Sequence, residues 1–187
     1  LSPESSGTDS PLEAQPATVN SLTVVVPVFE EVGNLPALLE ELKSTFLNLD
    51  LECDLILIDD GSTDGSTEVM RQFCRDNHFC KLIVLRRNYG QTAALMAGFD
   101  HARGDVVVAL DGDGQNDPAD LPLLVEKLNE GFDVVSGWRV NREDARFTRR
   151  LPSVVANALI SMVTGVRLHD YGCTLKAYRR SILQNVR

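Results

Sequence analysis

Short runs of consecutive apolar residues alternate along the chain with longer segments in which apolar residues recur every three or four positions. Runs of the first kind are typical of buried strands in a parallel sheet, and segments of the second kind are typical of amphipathic helices. The predicted strands are residues 22–29, 54–58, 82–85, 106–110 and 132–136. The resulting β-α-β-α-β-α-β-α-β order predicts an α/β fold, with a mostly parallel sheet and helices on both faces.

The predicted helices begin where polar caps or prolines precede a periodic apolar segment. Asn34 is predicted to cap the first helix, with Pro36 in its first turn. Residues 62–64 (Ser-Thr-Asp) offer caps for the second helix. Three further helices are predicted at 90–102, from Pro118 onward and at 152–163, and a short last strand at 174–178.

The two ends of the chain differ from the periodic region between them. Residues 1–20 are rich in Ser, Pro, Glu and Thr, which predicts a disordered leader without the features of a signal peptide. Residues 21–187 are predicted to form one domain. We expect the chain to be a piece of a longer protein, truncated at its carboxyl end, because it begins with Leu and its end at Arg187 follows no obvious stop signal. We expect this piece to be soluble, because no stretch approaches the ~20 apolar residues of a transmembrane helix.

Charge is distributed unevenly along the chain. The net charge of −9 argues against nucleic acid as a partner. Residues 1–137 carry 8 Lys/Arg and 24 Asp/Glu, whereas residues 138–187 carry 10 Lys/Arg and 3 Asp/Glu. The basic last part is either a solvated face or a surface that meets an anion, such as substrate phosphates or a membrane.

The four cysteines do not follow a metal-binding or disulfide-framework pattern. They are Cys53, Cys74, Cys80 and Cys173, and no two have C-x-x-C spacing. This spacing argues against a zinc site. A chain of 187 residues can form a core without disulfides, so we expect reduced thiols in a reducing compartment.

Acidic residues follow two of the predicted strands directly. Asp59 and Asp60 come after the second strand, and Asp111 and Asp113 come after the fourth. Ligands of open α/β sheets bind at the carboxyl ends of the strands. Four carboxylates at that edge repel one another unless a cation or a hydrogen-bond donor compensates them. The pattern therefore predicts a metal-assisted site for a phosphate-bearing molecule.

The second cluster has the spacing Asp111-x-Asp113-x-Gln115, which suits a hard cation that bridges a diphosphate. One alternative is an acidic turn without a ligand. A calcium EF-hand loop does not fit, because its sixth position would be Asn116 and its twelfth Pro122. An aspartyl phosphatase of the haloacid dehalogenase type also has D-x-D after a strand, but usually after the first strand and followed by different residues.

The first cluster can bind a nucleoside. A carboxylate at Asp60 can accept an N–H from a base edge, although Asp59 or Asp60 can instead cap the following helix. Phe29 and Glu31 follow the first strand, where an aromatic ring can flank the base and a carboxylate can bind a ribose hydroxyl. An aromatic residue at a strand end is otherwise most often part of the core.

Taken in order, residues 26–31, 58–66 and 111–118 resemble the inverting family-two glycosyltransferases. The similarity is greatest to the dolichyl- or polyprenyl-phosphate hexose (mannose or glucose) synthases, and residues 87–91, 136–139 and 170–179 add to it. The resemblance implies a GT-A fold, a GDP- or UDP-hexose donor and Mg²⁺ or Mn²⁺. It also implies a polyprenyl (dolichyl or undecaprenyl) phosphate acceptor at the cytoplasmic face of a membrane.

The resemblance also assigns roles to individual residues. The nucleoside pocket would consist of Pro27, Phe29, Glu31, Ile58 and Asp60. The ribose and diphosphate would meet Asp111, Gly112 and Asp113, and the metal ligands would be Asp113 and Gln115. The phosphate-binding residues would be Arg139 and Arg149, with Arg150 as the alternative to Arg149. Asp111, Asp113 and Arg139 would be catalytic.

Two segments depart from the family pattern. Phe29-Glu30-Glu31 stands where the family commonly has Tyr-Asn-Glu, and Lys176 stands where it has arginine. The predicted reaction is metal-dependent, inverting transfer of a hexose to a lipid phosphate that acts as its own nucleophile. The alternatives are transfer to a sugar hydroxyl, an aspartyl phosphatase, and a sugar-nucleotide-binding module without turnover.

Overall fold

The structure, a computed structural model, describes residues 18–137 and 174–185. Its centre is a six-stranded sheet whose strand order is β3-β2-β1-β4-β6-β5. The strands are β1 (Ser21–Val28), β2 (Glu52–Asp59), β3 (Cys80–Val84), β4 (Val106–Ala109), β5 (Val134–Ser136) and β6 (Lys176–Arg179). The five predicted strands are all present, with small differences at their ends.

Pairing within the sheet is mostly parallel, as the alternation of strands and helices predicted. β1 lies between β2 and β4 and is parallel to both. β6 confirms the predicted short last strand, and it pairs antiparallel with β4 on one side and β5 on the other. The described part of the sheet therefore ends in an antiparallel ribbon at one edge.

Helices cover both faces of the sheet and create two hydrophobic clusters. The larger cluster joins apolar residues of α1, α2 and α4 to the strands. The smaller cluster lies on the other face and consists of Ala94 of α3 with Val25, Ile56, Ile58 and Val107 of the strands, and Leu183 of α5 packs against it. The helices are α1 (Leu35–Asn48), α2 (Ser66–Asp76), α3 (Gln91–His101), α4 (Leu121–Asn129) and α5 (Arg180–Asn185), with a 3-10 turn at Pro118–Asp120. The predicted helix 152–163 lies outside the described residues.

Helix α1 starts at the predicted place but by a different mechanism. Asn34 precedes the helix and Pro36 is in the first turn, yet the Asn34 side chain makes no capping bond. The backbone of Asn34 is already in the helical region (φ −94°, ψ −29°), whereas a capping residue is typically extended. Its Nδ2 instead donates to Glu31 Oε2 at 2.7 Å, and the Leu35 N–H donates to the Glu31 carbonyl. The prediction of a side-chain cap is wrong.

Ordered packing begins before the predicted boundary at residue 20. Val19 is 3% exposed and belongs to the larger hydrophobic cluster. Its N–H donates to Asn129 Oδ1, and the Asn20 carbonyl accepts the N–H of Glu52. Residues 1–17 of the predicted leader lie outside the described residues.

Two of the cysteines are joined, contrary to the expectation of reduced thiols. Cys74 of α2 and Cys80 of β3 form a disulfide, because the tight turn between these elements brings their Cα atoms to 4.9 Å. Cys53 is a free thiol, and burial, with a smaller contribution from Asp54, raises its pKa from 9.0 to about 11. Among the helices that the structure describes, none has the length and apolar character needed to span a bilayer.

Candidate functional site

A cleft of about 340 Å³ opens at the carboxyl ends of β1, β2 and β4. Open α/β sheets bind their ligands at this edge, so the cleft has the position that the acidic clusters predicted. Its walls are formed by Pro27, Val28, Phe29, Glu31, Asp60, Asn88, Gly90, Gln91, Ala94, Asp111, Gly112 and Asp113.

The sheet register places the two acidic clusters on either side of β1. The Asp60 N–H donates to the Val28 carbonyl at 2.8 Å, which continues the β1–β2 ladder by one residue. The Leu110 N–H donates to the Val25 carbonyl at 3.0 Å, which continues the β1–β4 ladder. Asp60 follows β2 and Asp111 follows β4, the two strands that flank β1. The two aspartates therefore lie at the same edge of the sheet.

Asp59 and Asp60 are adjacent in sequence but have different partners, because successive residues of a strand point to opposite faces. Asp59 is 1% exposed and accepts hydrogen bonds from the Ser62 N–H (2.8 Å) and the Thr67 hydroxyl. It therefore ties the loop after β2 to the Thr67 side chain of α2, but it does not cap that helix, whose N-cap position is Gly65 and has no side-chain capping bond. Asp59 is not part of the cleft wall, whereas Asp60 is.

Asp60 holds a second loop at the cleft. Its carboxylate, 3% exposed, accepts the Tyr89 N–H at Oδ1 (2.7 Å) and the Gly90 N–H at Oδ2 (2.8 Å). Hydrogen bonds to a charged acceptor are among the stronger ones in proteins. Asp60 therefore fixes the end of the loop that leads from β3 into α3.

Gly61 permits this loop to lie close to the end of β2. Its φ is +78°, and an added Cβ would lie 2.7 Å from the Cα of Arg87 and 2.7 Å from the amide nitrogen of Asn88. A side chain at this position is excluded by both the backbone conformation and the contact. Glycine at position 61 is thus required for the β3–α3 loop to reach Asp60.

The loops after β1 and β2 are joined to each other by hydrogen bonds. The Glu30 N–H donates to Ser62 Oγ, and Glu30 Oε1 accepts both the N–H and the hydroxyl of Thr63 at 2.9 Å. Glu30 has a φ of 57°, in the left-handed region that non-glycine residues seldom adopt. These hydrogen bonds keep Glu30 in that conformation.

A second set of bonds extends this connection to α2. Ser66 Oγ accepts the Glu31 N–H, and Asp64 accepts the Val32 N–H at 3.0 Å. The hydroxyl of Ser66 and the amide of Val32 lower the pKa of the Asp64 carboxyl below its ordinary value. The wall of the cleft that carries Glu31 is therefore positioned by polar residues that follow Gly61, namely Ser62, Thr63, Asp64 and Ser66.

The opposite wall carries the Asp-x-Asp segment. Asp111 Oδ1 accepts a hydrogen bond from Gln91 Nε2 at 2.6 Å, and Asp113 Oδ1 accepts the Gln115 N–H at 3.0 Å. Gly112 packs against the end of β1, where an added Cβ would lie 3.2 Å from the Pro27 carbonyl oxygen. The backbone between the two aspartates therefore lies directly on β1.

The chemistry of these residues fits a hard divalent cation. Within residues 18–137 and 174–185, no three His, Cys, Asp or Glu side chains converge to hold a metal by themselves. The cleft nevertheless presents the carboxylates of Asp111 and Asp113 two residues apart. Mg²⁺ typically binds one or two carboxylates and takes further oxygens from substrate phosphates and water. The donor set suits an ion that arrives with a diphosphate.

Most of the predicted nucleoside and diphosphate residues lie together in the cleft wall. They are Pro27, Phe29, Glu31, Asp60, Asp111, Gly112 and Asp113. Ile58 is not part of the cleft wall, because its side chain is fully buried beneath α3 in the smaller hydrophobic cluster. Gln115 is exposed and is not part of the wall. The predicted phosphate-binding Arg139 and Arg149, with Arg150, lie outside the described residues.

Five residues of the wall have no role assigned from the sequence: Val28, Asn88, Gly90, Gln91 and Ala94. Val28 ends β1, and the other four belong to the loop and first helical turn that follow β3, a strand without an acidic residue at its end. The available signal was Gly90 between a strand and a helix, since its φ of +92° is one that glycine adopts readily.

The chain belongs to glycosyl transferase family 2, whose sequence profile matches residues 23–187. It is 43% identical over 183 residues to the dodecaprenyl-phosphate galacturonate synthase of Rhizobium johnstonii, covering 97% of this chain and 53% of that protein. It is 46% identical over 167 residues to the undecaprenyl-phosphate 4-deoxy-4-formamido-L-arabinose transferase of Proteus mirabilis, covering 88% and 51%. The chain thus spans about half the length of the curated relatives it matches.

Solved structures confirm the GT-A type of fold. The glucosyl-3-phosphoglycerate synthase of Mycobacterium tuberculosis, solved with Mn²⁺, UDP and glucosyl-3-phosphoglycerate, superposes with a TM-score of 0.66 at 21% identity. The superposition covers 88% of this chain and 58% of that one. The resemblance to family-two glycosyltransferases that act on polyprenyl phosphates, inferred from the sequence, is therefore confirmed at the level of family and fold.

Proposed function

We propose that this chain is the catalytic part of a glycosyltransferase that moves a sugar from a nucleoside diphosphate to a polyprenyl phosphate, with inversion at the anomeric carbon. The observation that carries the proposal is the cleft at the ends of β1, β2 and β4, which gathers four carboxylates beside an exposed aromatic ring. The carboxylates are Glu31, Asp60, Asp111 and Asp113, and the ring is Phe29. The names of the two relatives support the acceptor class.

The nucleoside would lie at the β1–β2 side of the cleft. Phe29 is 45% exposed there, so its ring is available to flank a base, with Pro27 beside it. Asp60 already accepts two amide N–H groups, but each carboxylate oxygen has two lone pairs, so it keeps capacity for a base N–H. Glu31 would accept a hydrogen bond from a ribose hydroxyl.

The diphosphate would lie at the β4 side, against Asp111, Gly112 and Asp113. Asp113 would hold Mg²⁺ or Mn²⁺, with Gln115 as a second oxygen ligand. Such an ion supplies charge neutralisation for a departing nucleoside diphosphate. Asp111 and Gly112 would position the ribose and diphosphate next to that ion, because Gly112 holds this backbone against β1.

The acceptor phosphate needs positive charge near the cleft. Arg139 and Arg149 are proposed to supply it, and the excess of basic residues after position 137 supports this assignment. Lys176 begins β6 opposite Ala109, two residues before Asp111, so its backbone lies next to the diphosphate end of the cleft. A basic surface of this kind also suits the anionic face of a membrane, and we place the reaction at the cytoplasmic face.

In this mechanism the lipid phosphate is its own nucleophile. A phosphate monoester is largely dianionic near neutral pH, with a second pKa of about 6, so no general base is required. An oxygen of the acceptor phosphate attacks the anomeric carbon, and the nucleoside diphosphate leaves from the opposite side. The protein contributes positioning and electrostatic stabilisation. A sugar-hydroxyl acceptor would instead require a carboxylate base, and the aspartyl phosphatase alternative does not fit the family.

The transferred sugar is proposed only as a class. The sequence resemblance favoured a neutral hexose such as mannose or glucose, whereas the two relatives are named for galacturonate and for a formamido-arabinose. We therefore propose a sugar nucleotide with a UDP or GDP leaving group, and the assay must include neutral, acidic and amino-sugar donors.

The test is product formation with a short-chain polyprenyl phosphate, Mn²⁺ and a panel of labelled UDP- and GDP-sugars. We expect one donor to yield a lipid-linked sugar, and Asp113→Ala to abolish the product. Asp120→Ala is the matched control, because Asp120 is exposed and is not part of the cleft wall. Transfer to a sugar hydroxyl but not to the lipid would contradict the acceptor class, and donor binding without any product would favour the non-catalytic module.

A further inference from the structure

The segment Tyr89–Gln91 connects the two acidic clusters across the end of β1. Its backbone is bound to Asp60 through the N–H groups of Tyr89 and Gly90, at 2.7 and 2.8 Å. Its last side chain is bound to Asp111, because Gln91 Nε2 donates to Asp111 Oδ1 at 2.6 Å. β1 lies between the strands that end at these two aspartates, and Gly90 and Gln91 of the segment are part of the cleft wall.

The backbone of this segment makes the connection possible. Gly90 has φ +92° and ψ 156°, a combination that residues with a side chain seldom adopt, and it directly precedes α3. The Gly90 N–H is thereby directed to Asp60. The next residue, Gln91, begins the helix, and its side-chain amide reaches Asp111. Gln91 is exposed except for this contact and the cleft, so hydrophobic packing does not explain its placement.

The geometry points to Gln91 as a positioning residue that acts through Asp111. Its amide donor holds one oxygen of the Asp111 carboxylate, which fixes the orientation in which the ribose and diphosphate of the donor would meet this residue. The inference rests on the proposed function for the identity of the ligand. The new element is a role for Gln91 of α3, which orients the Asp111 side chain that follows β4.

The positioning has a measurable consequence. Without the donor at position 91, the Asp111 side chain loses a charge-assisted hydrogen bond that stabilises the orientation in which the ligand would meet it. We expect Gln91→Met, which keeps the length of the side chain but lacks the donor, to weaken binding of UDP or GDP with Mn²⁺ by about tenfold.

Two further variants separate the contact from a general effect on α3. Gln91→Lys keeps a donor of similar reach, so it should restore most of the affinity. Thr92→Ala alters the neighbouring exposed residue, which is not part of the cleft wall, and should leave affinity and thermal stability unchanged. Loss of affinity in Thr92→Ala equal to that in Gln91→Met would contradict the inference, since it would indicate a defect of the helix start.

A double-mutant cycle tests whether Gln91 acts through Asp111. In the Asp111→Ala background, Gln91→Met should cause no further loss of nucleoside diphosphate affinity. A loss that persists in that background would mean that Gln91 contacts the ligand directly, and would overturn the positioning role.

The contact itself is tested without any ligand. In the ¹⁵N-labelled chain, the side-chain amide resonance of Gln91 is the one that is absent from Gln91→Met. This resonance should shift in Asp111→Ala and should stay in place in Asp120→Ala. An unmoved resonance in Asp111→Ala would refute the contact and the inference, whatever the nucleotide data. If the wild-type chain binds no nucleoside diphosphate with Mn²⁺, the proposed function fails and the positioning role with it, even where the resonance shifts.

Discussion

Replacement of Asp60 by asparagine tests how the cleft is held in shape. The Asp60 carboxylate is 3% exposed and accepts two backbone N–H groups, from Tyr89 and Gly90. Asparagine keeps one acceptor oxygen, but its NH₂ group must face the other N–H. A hydrogen bond to a charged acceptor contributes about 1.5–3 kcal/mol, and the buried donor left unpaired costs about 1 kcal/mol more. We therefore expect the free energy of unfolding to fall by about 2–4 kcal/mol.

Thermal or urea unfolding measures this change, which corresponds to a fall in Tm of roughly 5–15 °C for a chain of this size. Asp117→Asn is the matched control, because Asp117 is exposed and accepts a single backbone N–H, from Ala119, that asparagine can also satisfy. Hydrogen exchange locates the effect, since the amides of Tyr89 and Gly90 should lose protection in Asp60→Asn. Stability within about 0.5 kcal/mol of wild type and unchanged exchange at these amides would refute the assignment.

Three further changes test neighbouring features. Gly61→Ala should lower the free energy of unfolding by at least about 2 kcal/mol in urea titrations, because its Cβ meets Arg87; an unaffected variant would contradict this close approach. Glu30→Gly should be more stable than Glu30→Ala by about 1 kcal/mol in the same assay, because only glycine relieves the φ of 57°; the reverse order would argue against strain. Burial raises the pKa of Cys53 to about 11, so this thiol should react with iodoacetamide at pH 8 about a hundredfold more slowly than a thiol of pKa 9. Peptide mass spectrometry follows the reaction, and equal rates would contradict the burial of Cys53.

The strands and helices were predictable because their apolar patterns reflect burial in a sheet covered on both faces. The runs that became β1, β2 and β4 are buried almost throughout. The insertion of β6 between β4 and β5 was not predictable, because strand pairing across about 40 residues (β5–β6) and about 70 residues (β4–β6) of sequence leaves no local pattern. The Cys74–Cys80 disulfide was missed because it depends on a turn whose geometry the spacing does not reveal.

The candidate site was predictable where a strand end fixes the position of a side chain. Asp60 and Asp111 were identified in this way, since Asp111 directly follows an apolar run and Asp60 comes one residue after another. The different functions of Asp59 and Asp60 depend on which helix or loop lies on each face of the sheet, and the partners of Asp60 are backbone amides that no sequence pattern marks. Ile58 was assigned to the nucleoside pocket by the family resemblance alone, and its full burial under α3 depends on helix packing that the local sequence does not show.

The central claim is that the cleft beyond β4 binds the diphosphate of a sugar nucleotide together with a divalent ion. The most direct measurement is a crystal structure of the chain with UDP or GDP and Mn²⁺, in which anomalous scattering locates the ion. We expect one Mn²⁺ bound to a carboxylate oxygen of Asp113 and to the diphosphate, with the base beside Phe29. An ion bound elsewhere, or a nucleotide outside this cleft, would contradict it.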